Sequence, residues 1–260
     1  MPLTKRKEFI MAKLDPKDLL KTGAHFGHKT SRWHPKMAPY IYDKRDGVHI
    51  IDLFQTVELL EEACDKVQAV AARGGDILFV GTKKQVKDLV KATAEKVEQP
   101  YVTERWMGGM LTNKATMKSR IKQLKKLEKE MDSGEMEAMY NKLELQRFEE
   151  EIEKLNLSFG GIKDMDGEPD LVIIVDTIDD DLAVLEANRL NVPVIGIVDT
   201  NSDPRLVDLP IPANDDSIKT VELILQQLVA AIETGTAKGV AATAKAEEAD
   251  AEAAKSKETK

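Results

Sequence analysis

The sequence predicts an α/β protein built on a parallel sheet with helices on both faces. Two runs carry this first: Ile77-Leu78-Phe79-Val80-Gly81 and Leu171-Val172-Ile173-Ile174-Val175 contain no polar residue, as strands buried on both faces do. Amphipathic segments, with apolar residues three and four apart, alternate with such runs. The chain of 260 residues is 42% hydrophobic and 32% charged, enough for a substantial core beneath a highly charged surface.

The elements follow in order. Asp15-Pro16 marks a helix start and Gly23 its stop. Residues 40–52 read as a hairpin around Asp46-Gly47. A helix over 56–72 ends at Gly74-Gly75, and the strand at 77–81 follows. A helix over 84–97 leads to a short strand at 101–102. Strands are expected at 171–175, 193–198 and 209–211, with helices over 180–190 and 217–232.

Residues 111–157 interrupt this alternation. Met117, Ile121, Leu124 and Met131 form one apolar stripe, and Met139, Leu143, Phe148, Ile152 and Leu155 form another beyond a turn at Asp132-Ser133-Gly134. This spacing predicts an inserted antiparallel α-helical coiled-coil hairpin. Its first arm is basic (Lys114, Lys118, Lys122, Lys125, Lys126, Lys129) and its second acidic (Glu144, Glu149, Glu150, Glu151, Glu153), so distal charges are expected to pair across the arms. The α/β domain is then discontinuous, 12–110 with 158–232. Residues 1–11 form an N-terminal extension, with Met1 and Met11 both plausible starts. Residues 233–260 lose apolar periodicity and read as a disordered charged tail.

No run of about 18 apolar residues occurs, which argues against a membrane-spanning helix. The basic first ten residues lack the apolar core of a secretory signal. The single cysteine, Cys64, cannot form an internal disulfide and reads as buried filler in its helix. A cytoplasmic setting is the simplest expectation.

The formal net charge of −8 hides a strong polarity. Residues 1–130 carry 26 Lys and Arg against 17 Asp and Glu, whereas residues 131–260 carry 12 against 29. A basic half and an acidic half suit a protein with one face on a polyanion and the other on solvent or a protein. The acidic surface, including residues 179–181, is expected to turn away from phosphate.

Three of the four histidines lie in residues 23–36, where Lys29, Arg32 and Lys36 are interleaved with Phe26, Trp33 and, just beyond, Tyr40. Cations among aromatics suit phosphate contact combined with stacking on bases. His25 and His28 are close enough in sequence to consider a metal, but there is no thiolate nearby and no carboxylate between Asp18 and Asp43. Gly81-Thr82-Lys83-Lys84 forms a strand-to-helix turn that could present N–H groups and cations to phosphate, without the spacing of a phosphate loop. Arg105-Trp106-Met107-Gly108-Gly109-Met110 is a further cation–aromatic–glycine turn. Asp176, Asp199 and Asp203 follow strands, where α/β enzymes hold magnesium or accept phosphoryl groups. Their neighbours are cap and turn formers, which gives the simpler reading of structural carboxylates.

Six motifs together resemble the bacterial family of small-subunit ribosomal protein S2. They are Gly-Ala-His-Phe-Gly-His-Lys-Thr-Ser-Arg-Trp-His-Pro-Lys-Met (23–37), Phe-Val-Gly-Thr-Lys-Lys-Gln (79–85), Arg-Trp-Met-Gly-Gly-Met-Leu-Thr-Asn (105–113), Gly-Gly-Ile-Lys-Asp-Met (160–165), Ile-Val-Asp-Thr-Asn-Ser-Asp-Pro (197–204) and Ile-Pro-Ala-Asn-Asp-Asp (211–216). The resemblance spans about residues 12–232; Ala213 stands where the family usually has glycine. It implies a flavodoxin-like (Rossmann-like) sheet with the inserted coiled-coil hairpin, located in the small ribosomal subunit. It also implies a non-catalytic role in translation, without cofactor, membrane or small-molecule substrate. The implied partners are small-subunit ribosomal RNA and neighbouring ribosomal proteins, including protein S1. The residues assigned to RNA are Lys29, Arg32, Trp33, Lys36, Lys44, Arg45, Lys83, Lys84, Arg105, Lys114 and Lys118. The alternative is a magnesium-dependent phosphotransfer or nucleotide-binding enzyme using Asp176 and Asp199.

Overall fold

The structure, a computed structural model, describes residues 14–134, 139–165 and 167–258; the expected extension over 1–11 lies outside them. Asp15 caps α1 (Pro16–Thr22) by accepting from the Lys17 N–H, and Gly23 ends the helix at φ +83°. A small antiparallel sheet follows, in the order β1-β3-β2, from β1 (Phe26–Lys29), β2 (Ile41–Arg45) and β3 (Val48–Ile51). The expected hairpin is β2-β3; Asp46 and Gly47 both take positive φ, as a tight two-residue turn requires. β1 was not expected from its mixed composition.

α2 (Leu53–Ala71) begins three residues before its expected start because Asp52 caps it, accepting from the Phe54 N–H. Its buried stripe includes Val57, Leu60, Cys64 and Val67. Burial, followed by the nearby Asp65 and Glu61 carboxylates, pushes the Cys64 thiol up to about 12, which suits filler and not a nucleophile. The remaining elements are β4 (Ile77–Val80), α3 (Lys87–Lys96), β5 (Tyr101–Val102), α4 (Lys114–Asp132), α5 (Lys142–Phe159), β6 (Leu171–Ile174), α6 (Asp181–Arg189), β7 (Val194–Val198), β8 (Leu209–Pro212) and α7 (Ile218–Glu258). α3 starts three residues later than expected; the N–H groups of Val86 and Lys87 instead close a turn onto the Lys83 carbonyl.

The five-stranded sheet is parallel throughout, in the order β5-β4-β6-β7-β8. Numbered within the sheet this is 2-1-3-4-5, the flavodoxin-like order, which reverses direction between β4 and β6. Alternate strand residues feed two cores. Ile77, Phe79, Leu171 and Ile173 face α2 and α7, whereas Leu78, Val80, Val172 and Ile174 share the other face with Trp106, Leu124, Phe159 and Val184. Ala213 is fully buried after β8, and its N–H donates to the Val198 carbonyl. Among the described residues, no helix is long and apolar enough to cross a membrane.

α4 ends at the expected turn, with Gly134 at φ +72°, and packs against α5, where Gln123 donates to Glu151 and Asn156 donates to Glu128. Three lysines of α4 pair elsewhere than across the arms: Lys114 meets Glu168, Lys125 meets Asp164 and Lys126 meets Glu130 on its own helix.

Where the composition reads as a tail, α7 continues helically past 232 to Glu258. Gly235 is buried, and a Cβ there would lie 2.5 Å from the Gln68 carbonyl oxygen and 2.9 Å from the Ala71 Cβ. The loss of apolar side chains that resembles disorder therefore lets the helix approach α2 closely.

Candidate nucleic-acid interface

In doubly wound sheets ligands bind beyond the carboxyl ends of the strands, at the reversal of strand order. Here that crevice is closed by the protein's own side chains. Thr82, just beyond β4, donates its N–H to Asp180 at 3.2 Å and its hydroxyl at 2.9 Å. Burial raises the Asp180 carboxyl to about 6, over the opposing effect of these bonds. Lys83 sits 3.3 Å from Asp176, 3.0 Å from Asp215 and 2.6 Å from Asp216. Desolvation opposes charge on Lys83, but its hydrogen bond to Asp216 and the field of Asp215 and Asp176 hold it well above the ordinary lysine range. Asp215 is pushed up to about 7 by burial and by the neighbouring Asp176 and Asp199 carboxylates.

Asp176 also accepts from the Ile178 and Asp179 N–H groups, and Asp199 accepts from the Thr200 N–H and lies 3.1 Å from His28 Nδ1. Asp203 accepts from the Arg205 guanidinium and backbone N–H, and these bonds together with the guanidinium charge hold its carboxyl down at about 2. All three aspartates are thus engaged as caps and pairs. Among the described residues, no group of three or more His, Cys, Asp or Glu is arranged to hold a metal ion.

The small sheet is fastened onto this edge. Thr200 accepts the His28 N–H on its hydroxyl at 2.8 Å and the His34 N–H on its carbonyl at 2.7 Å. Gly27 is required there, because a Cβ would lie 2.5 Å from the Thr200 methyl. Beyond the fastening, Lys29, Arg32, Trp33, Lys36, Lys44 and Arg45 are all exposed. Lys29 and Arg45 both lie opposite Val48, on one face of the three strands. The Trp33 ring centroid lies 5.1 Å from that of His49, leaving Trp33 38% exposed as a partial stacking platform.

Lys84 is exposed beside the buried cluster, and Arg105 on the loop beyond β5. Lys114 and Lys118 are exposed on the first turns of α4. Arg45 and Lys114 pair with Asp43 and Glu168 on the surface, contacts worth little in water. Ten of the eleven expected residues are therefore presented to solvent; Lys83 instead has a side chain only 17% exposed and enclosed by carboxylates.

Sequence reasoning missed two organisers of this edge, Thr200 and Glu186. Glu186 on α6 is buried, and its carboxylate accepts from Trp106 Nε1, Gly109 N, Leu111 N, Thr112 N and Thr112 Oγ1. Burial alone would raise its pKa; the hydrogen bonds outweigh it and hold the carboxyl below the usual range.

An apolar groove of about 660 Å³ lies on the outer side of the small sheet, where it meets α1 and the start of α2. Leu20, Phe26, Tyr42 and Phe54 line it and are at least half exposed, and Asp43, Asp46 and Asp52 also border it.

A family model described as ribosomal protein S2 matches residues 19–235. The small ribosomal subunit protein uS2 of Oleidesulfovibrio alaskensis is 47% identical over 227 residues, covering 87% of each chain. That of Mesorhizobium japonicum is 47% identical over 222 residues, covering 85% of each. That of Fusobacterium nucleatum is 45% identical over 225 residues, covering 86% of this chain and 91% of the relative.

Proposed function

This chain belongs to the ribosomal protein S2 family, and from that membership we propose that it is a structural constituent of the small ribosomal subunit in the cytoplasm, bound to small-subunit ribosomal RNA. The observation that carries the RNA reading is the arm at residues 29–45. It gathers five exposed cations and a partly exposed Trp33 around the carboxyl edge of the sheet. Lys84, Arg105, Lys114 and Lys118 extend the cationic surface from the same edge. Cations spread over an exposed surface neutralise a phosphate backbone, while an exposed indole stacks on an unpaired base.

Nothing in this role calls for catalysis, and the relatives are named as ribosomal proteins, not as enzymes. Asp176 and Asp199, on which the phosphotransfer reading would rest, are engaged by Lys83, His28 and backbone N–H groups. The reading is tested by add-back. Bacterial small subunits stripped of this family's protein are mixed with the full chain and sedimented. Retention that weakens steeply with salt supports RNA attachment. Failure to sediment with the subunit, together with saturable magnesium–nucleotide binding by the free protein, would favour the enzyme.

Protein S1 belongs to the same reading, and the surface that suits it is the apolar groove at Leu20, Phe26, Tyr42 and Phe54. The acidic segment at 179–181 is a less open candidate than its composition implies, because Asp180 is buried against Thr82. Tyr42→Ala should reduce protein S1 retention on reconstituted subunits while leaving RNA attachment unchanged. Charge reversal at Asp179 and Asp181 with that same outcome, and no effect at Tyr42, would move the contact to the acidic surface.

A further inference from the structure

The loop from Trp106 to Asn113 contributes no regular secondary structure, yet it presents Arg105 at one end and starts α4 at the other. Five donors from this loop converge on one carboxylate: Gly109 N at 2.6 Å and Trp106 Nε1 at 3.1 Å on one oxygen, Leu111 N at 3.0 Å and both Thr112 donors at 3.1 Å on the other. Three of these are backbone amides, so the carboxylate fixes the path of the main chain itself. The acceptor, Glu186, projects from α6, whose other buried residues (Ala183, Val184, Ala187) lie in the core beneath the sheet. Gly109 reaches this arrangement at φ +88°, where a side chain would be strained.

We infer that Glu186 is a positioning residue for nucleic-acid binding: its ionised carboxylate moulds residues 106–112 around itself and so fixes where Arg105 and the first turn of α4, with Lys114, meet phosphate. This rests on the reading that Arg105 contacts RNA. A carboxylate accepts from all five donors at once because both oxygens carry lone pairs and neither carries hydrogen. An amide of the same shape cannot, since its nitrogen would turn N–H groups toward amides that also donate. Glu186 makes no contact with RNA in this account and acts through the loop.

The test is a cycle on the full chain, with bacterial small-subunit ribosomal RNA as the probe. Arg105→Ala, Glu186→Gln and the double variant are compared by the slope of log affinity against log salt, which counts phosphates neutralised and is not moved by a uniform loss of stability. Arg105→Ala should lower the slope by about one, Glu186→Gln by at least as much, and the double variant no further than Glu186→Gln. Amide exchange at Gly109, Leu111 and Thr112 should accelerate in Glu186→Gln while β4 and β6 stay protected.

Should Glu186→Gln fail to fold, Gly109→Ala replaces it. That variant strains the loop, with its Cβ 3.1 Å from that of Asn113, and leaves Glu186 in place; the same loss of slope is expected. If Arg105→Ala lowers the slope but Glu186→Gln, or Gly109→Ala in its stead, leaves it intact, Glu186 is structural only and the inference is wrong. If Arg105→Ala itself changes nothing, the RNA reading of Arg105 fails and the inference falls with it.

Discussion

His28 Nδ1 lies 3.1 Å from the Asp199 carboxylate, joining the small antiparallel sheet to the carboxyl end of β7. Asp199 is 1% exposed, so its charge is compensated within the protein by His28 and the Thr200 N–H. The same imidazole lies 3.8 Å from Asp216, which also contacts Lys83. The cationic arm is therefore fastened at its base by the cluster that fills the crevice.

This fastening should depend on pH. The close contact with Asp199 is the largest cause raising the His28 pKa above its ordinary 6.5, and burial opposes it. A histidine raised by folding contributes stability that is fully present below pH 6.5 and is lost as pH rises through the folded value. The stability advantage of the unmodified protein over His28→Asn, measured by urea unfolding, should shrink as pH rises from 6 to 9. The difference isolates His28 from Asp215 and Asp180, whose raised pKa values also favour the folded state toward lower pH. A gap that is constant or grows with pH would contradict the ion pair.

Lys83 was assigned to RNA from its motif, but its surroundings predict a different phenotype. Lys83→Ala leaves Asp215 and Asp176, 1% and 5% exposed, without their cation. Removing one partner of such a group destabilises by about 3 kcal/mol. Urea unfolding should show that loss, while the salt slope of RNA binding by the folded fraction stays unchanged. A lower slope with unaltered stability would return Lys83 to the phosphate-binding set.

Gly235→Leu tests the packing of α7 on α2. Leucine favours helix over glycine by close to 1 kcal/mol, but its Cβ must displace the Gln68 carbonyl and the Ala71 side chain. Overpacking should win, with a net loss of about 2 kcal/mol on urea unfolding. Unchanged or increased stability would mean that residue 235 lies free, as a disordered tail from 233 requires.

How much was legible follows from how local each signal is. The runs at 77–80 and 171–174 declare themselves because a strand covered on both faces has no place for a polar residue. Asp15, Gly23 and Asp46-Gly47 mark their ends because caps and tight turns depend on a few adjacent residues. The lysine cluster was not legible, since Asp176, Asp215 and Asp216 reach Lys83 from segments more than 90 residues away in sequence. Glu186 was hidden for the same reason: a glutamate on an amphipathic helix belongs on the solvent side until its five donors arrive from another segment. The spacing of Met117, Ile121 and Leu124 gives a helix and its buried face, but periodicity carries no information about which carboxylates its lysines meet, here Glu168 and Asp164 beyond α5.

The central claim is that the exposed cations at the carboxyl edge attach this protein to ribosomal RNA. Its most direct measurement is the salt dependence of retention on stripped bacterial small subunits, comparing the unmodified chain with the triple variant Arg32→Ala, Lys36→Ala, Arg105→Ala. All three side chains are exposed and the buried cluster is untouched, so the variant should fold normally. Its retention should weaken, and the slope of log affinity against log salt should fall by about two. Unchanged retention with an unchanged slope would contradict the account.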